Sequence, residues 1–444
     1  MSLSSSVLSG TAYRAPIVSA RFSFHDTNVV LYRRKNMIFF ILGSHPTISI
    51  AEIAAVVGFK KDYYLASKEI LILDEVEQTP EFLQNRLACT VKIGDVVGEV
   101  KKFDQNEMAD FIVSLLQDES KVTFGISVYS CGGNKKGLAD EVKKLGMAVK
   151  KRLKENGQTA RFVDSKESEL SSAAIVGEKI LENGGEFVLI ALPDKIVVGQ
   201  TRMVQDFKAW SNRDYGRPAR DAKSGMLPPK LARMMINLTG SVMDKKFCPL
   251  LDPFCGSGTV LMEAALMGWP KITGGDISEK AIENTRNNLN WLQKNAEVNT
   301  TQIQLINRPI ETLGEELKEK FNTIVAETFL GPPLTGHESP EKIRSIFSDL
   351  EKRTRSALLA LAKLLDKNGT AILALPVFRI NEKILYLPIK KIAAKAGLMI
   401  ENILPDSLPK DLQSLTASGG LFYARPDQKV GREIVKLCPL KSTN

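Results

Sequence analysis

Runs of apolar residues alternate with amphipathic stretches along the first half of the chain. Residues 38–42 are all apolar and predict a buried strand. Ser49 followed by Glu52 has the spacing of a capping box and predicts the start of a helix over residues 50–56. Shorter apolar runs follow, so we expect residues 37–105 to form a small α+β domain of the ferredoxin-like kind.

A second unit with the same alternation is predicted over residues 106–205. Apolar and polar positions nearly alternate over 122–129, which predicts a strand. A helix follows with apolar residues on one face and many lysines on the others, which suits RNA binding or a plain solvated face. Its apolar positions are Val142, Leu145, Val149 and Leu153.

The last part of the chain, residues 231–438, predicts a different fold class. Short apolar runs alternate with helical stretches, as in an α/β fold with a mixed, mainly parallel sheet. Its first four strands are expected at 248–251, 272–276, 302–306 and 321–326. Two strands near the C-terminus, around 420–423 and 433–437, are expected to supply the antiparallel edge of this sheet.

A glycine-rich turn with the sequence D-P-F-C-G-S-G-T, residues 252–259, joins the first of these strands to a helix. Gly256 and Gly258 carry no side chain, so the backbone there can approach a ligand closely. Asp276 ends the second strand, where a carboxylate can accept both ribose hydroxyls of a nucleoside. The turn has neither the dinucleotide G-x-G-x-x-G pattern nor the lysine of a P-loop. A metabolic Rossmann enzyme using the same carboxylate is the alternative.

The composition sets broad limits on partners and compartment. A net charge of +9 over 444 residues favours an anionic partner. Five cysteines without C-x-x-C spacing and three histidines argue against a zinc site, and unclustered cysteines suit a reducing cytoplasm. No apolar run approaches the length of about 18 residues that a membrane helix needs. We expect a cytoplasmic protein with no metal and no membrane segment.

Residues 1–36 stand apart, with seven serines, five basic residues and one acidic residue. This composition is typical of an organellar leader or a disordered extension. A start codon placed too early, with Met37 opening the folded chain, gives the same pattern. We treat the segment as a leader or disordered extension that precedes the fold.

A basic connector, residues 206–230, joins the two halves of the chain. Arginines can pair with phosphates bidentately, and they also suit an interdomain joint laced with aspartates; we expect both roles. The candidate RNA-binding residues are Lys150, Lys151, Arg152 and Arg161 in the second unit and Arg213, Arg217 and Arg220 in the connector.

Several stretches resemble known families. The loop at 252–259, together with Asp276, resembles the cofactor loop of S-adenosylmethionine-dependent methyltransferases that act on nucleic-acid bases. The second unit resembles a THUMP domain, a tRNA-binding module, in the order of its elements and in four short segments. These segments are F-G-I-S at 124–127, K-K-R-L-K at 150–154, L-S-S-A at 170–173 and G-Q-T at 199–201.

The connector makes the resemblance more specific. Residues 213–238, the loop that follows them and residues 422–434 resemble the tRNA guanosine-10 N2-methyltransferase family of archaea and eukaryotes, over about residues 37–437. The resemblance implies a Rossmann-like class I methyltransferase domain behind a THUMP-bearing RNA-binding half. It also implies S-adenosylmethionine as cofactor and tRNA as partner. We expect a monomer, and a small helper subunit stays open.

The same resemblance assigns the cofactor residues. The segment with Pro228, Pro229 and Lys230 would lie at the mouth of the cofactor site. Asn307 or Glu311 would replace the acid that holds the adenine amine in many relatives. The loop and the second strand would supply Asp252, Pro253, Phe254, Cys255, Gly256, Ser257, Gly258, Thr259, Asp276 and Ile277.

The chain departs from its relatives after the fourth strand of the catalytic domain. Related amine methylases carry a D/N-P-P-Y/F tetrad there, which holds the amine hydrogens and stacks on the flipped base. Here the candidate catalytic residues are Glu327, Thr328, Phe329 and Leu330. Glu327 is one methylene longer than aspartate, and Thr328 leaves the backbone less fixed than proline would.

The sequence therefore leaves three functional hypotheses. The favoured hypothesis is an enzyme that methylates a base exocyclic amine in tRNA, most specifically guanosine N2. The altered tetrad motivates the alternative of an RNA-binding protein that keeps the cofactor fold without catalysis. A DNA amine methylase is the third hypothesis, and the THUMP-like half argues against it.

Overall fold

The computed structural model of the chain describes ten ranges, and the leader expected at residues 1–36 lies outside them apart from residues 29–30. They are 29–30, 37–58, 65–116, 120–220, 226–240, 248–317, 319–335, 337–380, 383–425 and 428–440.

One mixed sheet runs through the N-terminal half. Within the described ranges its strands are β1 (Val29–Val30), β2 (Ile38–Leu42), β3 (Leu65–Ala66), β4 (Ile70–Leu73), β5 (Thr90–Val100), β6 (Lys121–Ser130), β7 (Thr159–Val163), β8 (Gly184–Ala191) and β9 (Ile196–Val204). They lie in the order β3-β4-β2-β5-β9-β8-β6-β7, with β1 beside β5. The helices of this half are α1 (Pro46–Val57), α2 (Pro80–Arg86), α3 (Gln105–Ser114), α4 (Lys135–Glu155), α5 (Ser172–Gly177) and α6 (Phe207–Ser211).

Strand β5 connects the two units that the sequence predicts separately. It pairs antiparallel with β2 on one side and with β9 on the other. The segments 37–105 and 106–205 therefore share a continuous sheet, and the N-terminal half is one body with two sets of helices.

Helix α1 begins earlier than predicted, and its expected capping box is wrong. The helix starts at Pro46, which places Ser49 and Glu52 inside it and fully buried. The Glu52 carboxylate accepts hydrogen bonds from the backbone N–H groups of Ala88 and Cys89 at 2.9 and 2.8 Å. The S-x-x-E spacing therefore serves a tertiary contact with the loop before β5 instead of the helix end.

The C-terminal half forms a second mixed sheet. Within the described ranges its strands are β10 (Leu250–Asp252), β11 (Ile272–Asp276), β12 (Gln304–Asn307), β13 (Phe321–Glu327), β14 (Leu365–Ile380), β15 (Lys383–Tyr386), β16 (Leu398–Glu401), β17 (Leu421–Tyr423) and β18 (Val430–Pro439). Its main order is β12-β11-β10-β13-β14-β18-β16, with β15 beside β14 and β17 beside β18. The helices are α7 (Pro229–Asn237), α8 (Thr259–Leu266), α9 (Glu279–Asn295), α10 (Ile310–Leu313), α11 (Pro340–Leu364) and α12 (Ile389–Lys395).

The predicted α/β class with a mainly parallel sheet is confirmed. Strands β10 to β14 pair in parallel, and β18 pairs antiparallel with both β14 and β16. The antiparallel strand is thus inside the sheet, whereas the sequence predicts it at the edge. The position follows from its composition, because residues 431–435 are all buried and an exposed edge would leave them in water.

The two halves share a hydrophobic core. Helix α7 packs its methionines Met234 and Met235 into the same cluster as Ile50 and Ile53 of α1. The amide Nδ2 of Asn237, on α7, also donates to the buried Glu52 carboxylate at 2.7 Å. These contacts fix the N-terminal half against the C-terminal half.

Candidate active site

Three acidic residues end three neighbouring parallel strands of the C-terminal sheet. Asp252 ends β10, Asp276 ends β11 and Glu327 ends β13. The carboxyl ends of parallel strands meet at one edge of a sheet, and the crevice there is where open α/β folds bind their ligands. The topology therefore brings together residues that are 75 positions apart in sequence (from 252 to 327).

The turn after β10 takes a backbone conformation that its glycines permit. Gly256 has φ of +53° and Gly258 has φ of +84°, a region that other residues rarely adopt. A Cβ at Gly258 would lie 2.8 Å from Cγ2 of Thr285. The Thr285 hydroxyl donates to the carbonyl of Gly256 at 2.8 Å, so α9 holds the turn from behind. The turn is therefore supported by α9 on one side and leaves its other side open.

Asp276 is tied to that turn. Its Oδ2 accepts from the N–H of Gly256 at 2.9 Å, and its Oδ1 accepts from the N–H of Ser278 at 2.8 Å. Each carboxylate oxygen keeps a second lone pair for a ligand hydroxyl. Asn307 donates to the backbone carbonyl of Asp276 at 2.9 Å, and the neighbouring Ile277 is 73% exposed. The carboxylate of Asp276, the amide of Asn307 and the exposed side chain of Ile277 thus lie together. This combination of polar and apolar groups suits a nucleoside.

A cavity of about 140 Å³ opens between the turn, the connector and β13. It contains two acids, Asp252 and Glu327, and its lining residues are Met226, Leu227, Asp252, Phe254, Cys255, Gly256, Ser257, Thr259, Val260 and Glu327. Burial raises the pKa of Asp252 well above its usual range, and the charges of Asp276 and Glu327 raise it further. A cation in this cavity would relieve that repulsion.

Glu327 is held by an arginine from the far end of the chain. Its Oε1 lies 2.5 Å from Nε of Arg432 on β18, whose side chain is 2% exposed. Burial raises the pKa of the Glu327 carboxyl above its ordinary value, although the charge of Arg432 and its hydrogen bond act in the opposite direction. The acid is therefore oriented and partly desolvated at the cavity wall.

The three residues after Glu327 face different surroundings. Thr328 is buried and its N–H donates to the carbonyl of Ala374 at 3.0 Å, which continues the pairing with β14. Phe329 is 56% exposed, with the guanidinium of Arg353 at 5.7 Å from its ring centre. Leu330 is half-buried. Of the predicted tetrad, Glu327 lines the cavity and Phe329 has an exposed ring beside Arg353.

Pro228, Pro229 and Lys230 line a second, larger cavity of about 730 Å³ instead of the cavity beside Glu327. This interdomain cavity, as we call it, lies between α1, the connector and the end of β17. Its aromatic and cationic lining residues are His45, Phe207, Trp210, Tyr215, Lys230, Tyr423 and Arg425. Burial lowers the pKa of the Lys230 amine. Among the connector residues that the structure describes, only Met226 and Leu227 reach the smaller cavity.

The connector arginines are divided between the interior and the surface. Nε of Arg213 and Nε of Arg233 each lie 2.8 Å from one oxygen of the buried Glu263. Arg217 is 2% exposed, and its Nη1 donates to the Thr259 hydroxyl at 2.6 Å. Arg220 is exposed near the ring of Tyr215. Burial thus keeps Arg213 and Arg217 from reaching RNA phosphates in this conformation and leaves Arg220 accessible.

The predicted basic face of the second unit lies on α4 and β7. Lys151 is 77% exposed, and Lys150 is half-buried on the same helix. Arg152 pairs with Asp110 at 2.6 Å, and Arg161 pairs with Glu178 at 2.8 Å. Lys151 also faces Glu155, but at 3.8 Å, so the two lysines carry more available charges than the two arginines.

Residues that the sequence did not single out complete the site. Arg432 holds Glu327, and Met226 and Leu227 line the cavity. The charged residues Arg432 and Glu433 inside the buried run 431–435 of β18 were a signal, since such residues need buried partners. No metal-binding group of three or more His, Cys, Asp or Glu occurs in the described part of the chain. The same ranges contain no helix that is both long and apolar enough to span a bilayer.

The C-terminal half is similar to known methyltransferases. Residues 217–368 match the family model of the RMKL-like methyltransferase domain. The chain is 27% identical over 316 residues to a protein of Methanothermobacter thermautotrophicus named tRNA (guanine(10)-N2)-dimethyltransferase, which covers 69% of this chain and 81% of that one. A protein of the same name from Methanocaldococcus jannaschii is 32% identical over 145 residues, or 32% of this chain and 39% of that one.

A solved structure extends the likeness to both halves. TrmN from Thermus thermophilus superposes with a TM-score of 0.52 over 91% of this chain and 100% of that chain, at 14% identity. The likeness is one of fold. It covers the N-terminal half, which the family model does not reach.

The residues present fit S-adenosylmethionine, the methyl donor expected for a methyltransferase domain of the matched kind. Gly256 and Gly258 leave room at the turn, and Asp276 and Ile277 would hold the adenosine. The carboxyl groups of Asp252 and Glu327 line the cavity, where their oxygens can face a sulfonium cation.

Proposed function

We propose that this chain, whose residues 217–368 belong to the RMKL-like methyltransferase domain family, transfers the methyl group of S-adenosylmethionine to N2 of a guanosine in tRNA, at position 10. The observation that carries the proposal is the position of Glu327. It ends β13 and lines the cavity that also contains the glycine turn. The named relatives carry this activity in their names.

Glu327 supplies the chemistry that a base amine needs. The bound cofactor offers an electrophilic methyl group, so the protein mainly has to align the nucleophile with it. The lone pair of the guanine amine is delocalised into the ring, which makes it a weak nucleophile. A carboxylate that accepts an amine hydrogen turns that lone pair toward the methyl group. Arg432 keeps the Glu327 carboxylate in one orientation for this task.

Phe329 is suited to hold the flipped base. Its side chain is exposed and lies two residues after Glu327, which lines the cavity. An aromatic ring in this place can stack on an extruded base. The tetrad E-T-F-L then acts as a working variant, in which the ring stands one position earlier than in related amine methylases.

The N-terminal half is proposed to grip the tRNA. Lys150 and Lys151 on α4 and Arg220 in the connector offer exposed or half-exposed positive charge. The interdomain cavity adds Tyr215, Lys230 and Arg425 next to the catalytic domain. We propose residues 37–205 as the RNA-binding half, 206–230 as the connector and 231–438 as the catalytic domain, acting in the cytoplasm.

One observation favours a second candidate function, RNA binding without catalysis. The ion pair with Arg432 occupies one oxygen of the only candidate acceptor in the tetrad. If that pair holds the carboxylate away from the amine, the fold would keep cofactor and tRNA without transfer.

A substrate-class experiment separates the candidates. Purified protein with labelled S-adenosylmethionine is offered unmodified tRNA, ribosomal RNA fragments and duplex DNA in parallel. Transfer to tRNA alone is expected. Transfer to duplex DNA would favour an amine methylase of DNA, and binding of both cofactor and tRNA without transfer would favour the non-catalytic function.

A further inference from the structure

Arg217 is a buried cation with unused hydrogen-bond donors. Its side chain is 2% exposed, and its Nη1 donates to the hydroxyl of Thr259 at 2.6 Å. Across the described residues, Nε and Nη2 of this guanidinium find no hydrogen-bond partner. Arginine keeps its charge in proteins, so the two bare nitrogens leave a charged group without compensation.

The carboxylates near Arg217 do not supply that compensation. Glu263 is the buried one, and its two oxygens are taken by Arg213 and Arg233 at 2.8 Å each. Asp214 attracts Arg217 only through its charge. Three arginines thus share one buried glutamate, and the cluster has an excess of positive charge that an anion would balance.

The place of Arg217 tells which anion fits. Its partner Thr259 is the first residue of α8 and lines the cavity beside the glycine turn. The same cavity has acidic residues, Asp252 and Glu327. The cavity is therefore lined by two carboxyl groups and by Thr259, whose hydroxyl accepts from the guanidinium of Arg217 behind it. S-adenosylmethionine has a sulfonium and a carboxylate in its methionine part, so its cation can face the carboxyl groups while its carboxylate meets the guanidinium.

We propose that Arg217 binds the carboxylate of the methionine part of S-adenosylmethionine, beside the hydroxyl of Thr259. Nε and Nη2 are the donors that this carboxylate would occupy. The residue then serves cofactor recognition, whereas its place in a basic connector suggests RNA binding. The inference rests on the cofactor of the proposed function and is independent of which nucleic acid accepts the methyl group.

The test compares two ligands that differ only in the carboxylate. Isothermal titration of the full chain, without RNA, gives the affinities of S-adenosylmethionine and decarboxylated S-adenosylmethionine. We expect the wild type to bind the decarboxylated compound about ten- to a hundredfold more weakly, since charge-assisted hydrogen bonds are lost. In Arg217→Gln the two affinities should converge, because only the carboxylated ligand loses a partner.

The controls keep the outcomes distinct. Arg355→Gln changes an exposed arginine on α11, to which no binding role is assigned, and should keep the wild-type ratio of affinities. Arg217→Lys keeps the charge and should retain part of the discrimination, which serves if Arg217→Gln does not fold. Equal affinities in the wild type, or an unchanged ratio in Arg217→Gln, would overturn the proposal. A wild type that binds neither ligand would instead contradict the proposed cofactor.

Discussion

Oε1 of Glu327 and Nε of Arg432 are 2.5 Å apart, in an ion pair between β13 and β18. Arg432 lies opposite Pro376 of β14, the strand between them, and its side chain is buried. The last long strand of the chain therefore sets the orientation of the candidate catalytic carboxylate. The orientation of Glu327 at the carboxyl edge of the sheet therefore depends on the pairing of β18 with β14.

Glu327→Gln should reduce methyl transfer by about a hundredfold or more, because an amide is a weaker acceptor for the amine hydrogen than a carboxylate. The substitution keeps the size of the side chain, so cofactor and tRNA affinities should stay near the wild type. Single-turnover transfer and two binding titrations measure this. Glu283→Gln, on the exposed side of α9, is the matched control. Undiminished turnover in Glu327→Gln would remove Glu327 from its role.

The rate of transfer should fall on the acid side with a midpoint above the ordinary pKa of a glutamate. Burial raises the pKa of Glu327, and the required form is the carboxylate, so activity is present above that pKa and lost below it. A pH profile of the single-turnover rate gives the midpoint. A midpoint in the ordinary glutamate range, or a flat profile, would contradict the assignment.

Removing the positive charge of Arg432 should move the acid-side fall of the transfer rate, the acid limb of the pH profile, to higher pH. The charge of Arg432 lowers the pKa of Glu327, so Arg432→Met raises it further, whereas Arg432→Lys keeps the charge and should shift it less. Loss of one partner of a buried pair also costs about 3–5 kcal/mol of stability, which thermal unfolding would detect. Equal acid limbs in the two variants would show that the charge does not act on the rate.

Asp276→Ala should weaken cofactor binding at least about tenfold and leave tRNA affinity nearly unchanged. The carboxylate offers lone pairs to the ribose and also holds the N–H groups of Gly256 and Ser278. Asp276→Asn keeps one acceptor oxygen, so its cofactor affinity should lie between those of the wild type and Asp276→Ala. Calorimetry with S-adenosylmethionine checks the first effect, and unchanged cofactor affinity in Asp276→Ala would refute the assignment.

Replacing Lys150 and Lys151 together by glutamine should weaken tRNA binding and flatten its salt dependence. Each phosphate contact that is lost should lower the slope of log affinity against log salt by about 0.7 to 0.9. Filter binding at several salt concentrations measures the slope. Lys363→Gln, an exposed lysine on α11 of the catalytic domain, is the control and should keep the wild-type slope. If the double variant has the same salt dependence as the control, Lys150 and Lys151 do not contact the tRNA.

Local patterns in the sequence predict the turn and the strand ends of the catalytic domain well. Gly256, Gly258 and Asp276 act through backbone conformation and strand position, which neighbouring residues determine. The sequence also predicts the class of the sheet, because each strand and helix has its own apolar pattern. These parts depend on short-range spacing alone.

Partners from distant strands stay hidden in one sequence. Arg432 meets Glu327 across 105 positions, and Glu52 reaches the N–H groups before β5 instead of capping its own helix. Arg217 looks like a surface arginine in a basic stretch and is buried against Thr259. Burial and pairing of charged residues are properties of the tertiary fold, so composition and spacing do not reveal them.

The most direct test of the central claim is to identify the methylated nucleoside. Unmodified tRNA transcripts are incubated with the protein and labelled S-adenosylmethionine, digested, and analysed by mass spectrometry. The account predicts N2-methylated guanosine, with its loss when the guanosine at position 10 is replaced by adenosine. A methyl group on another base or atom, or none despite bound cofactor and tRNA, would contradict it.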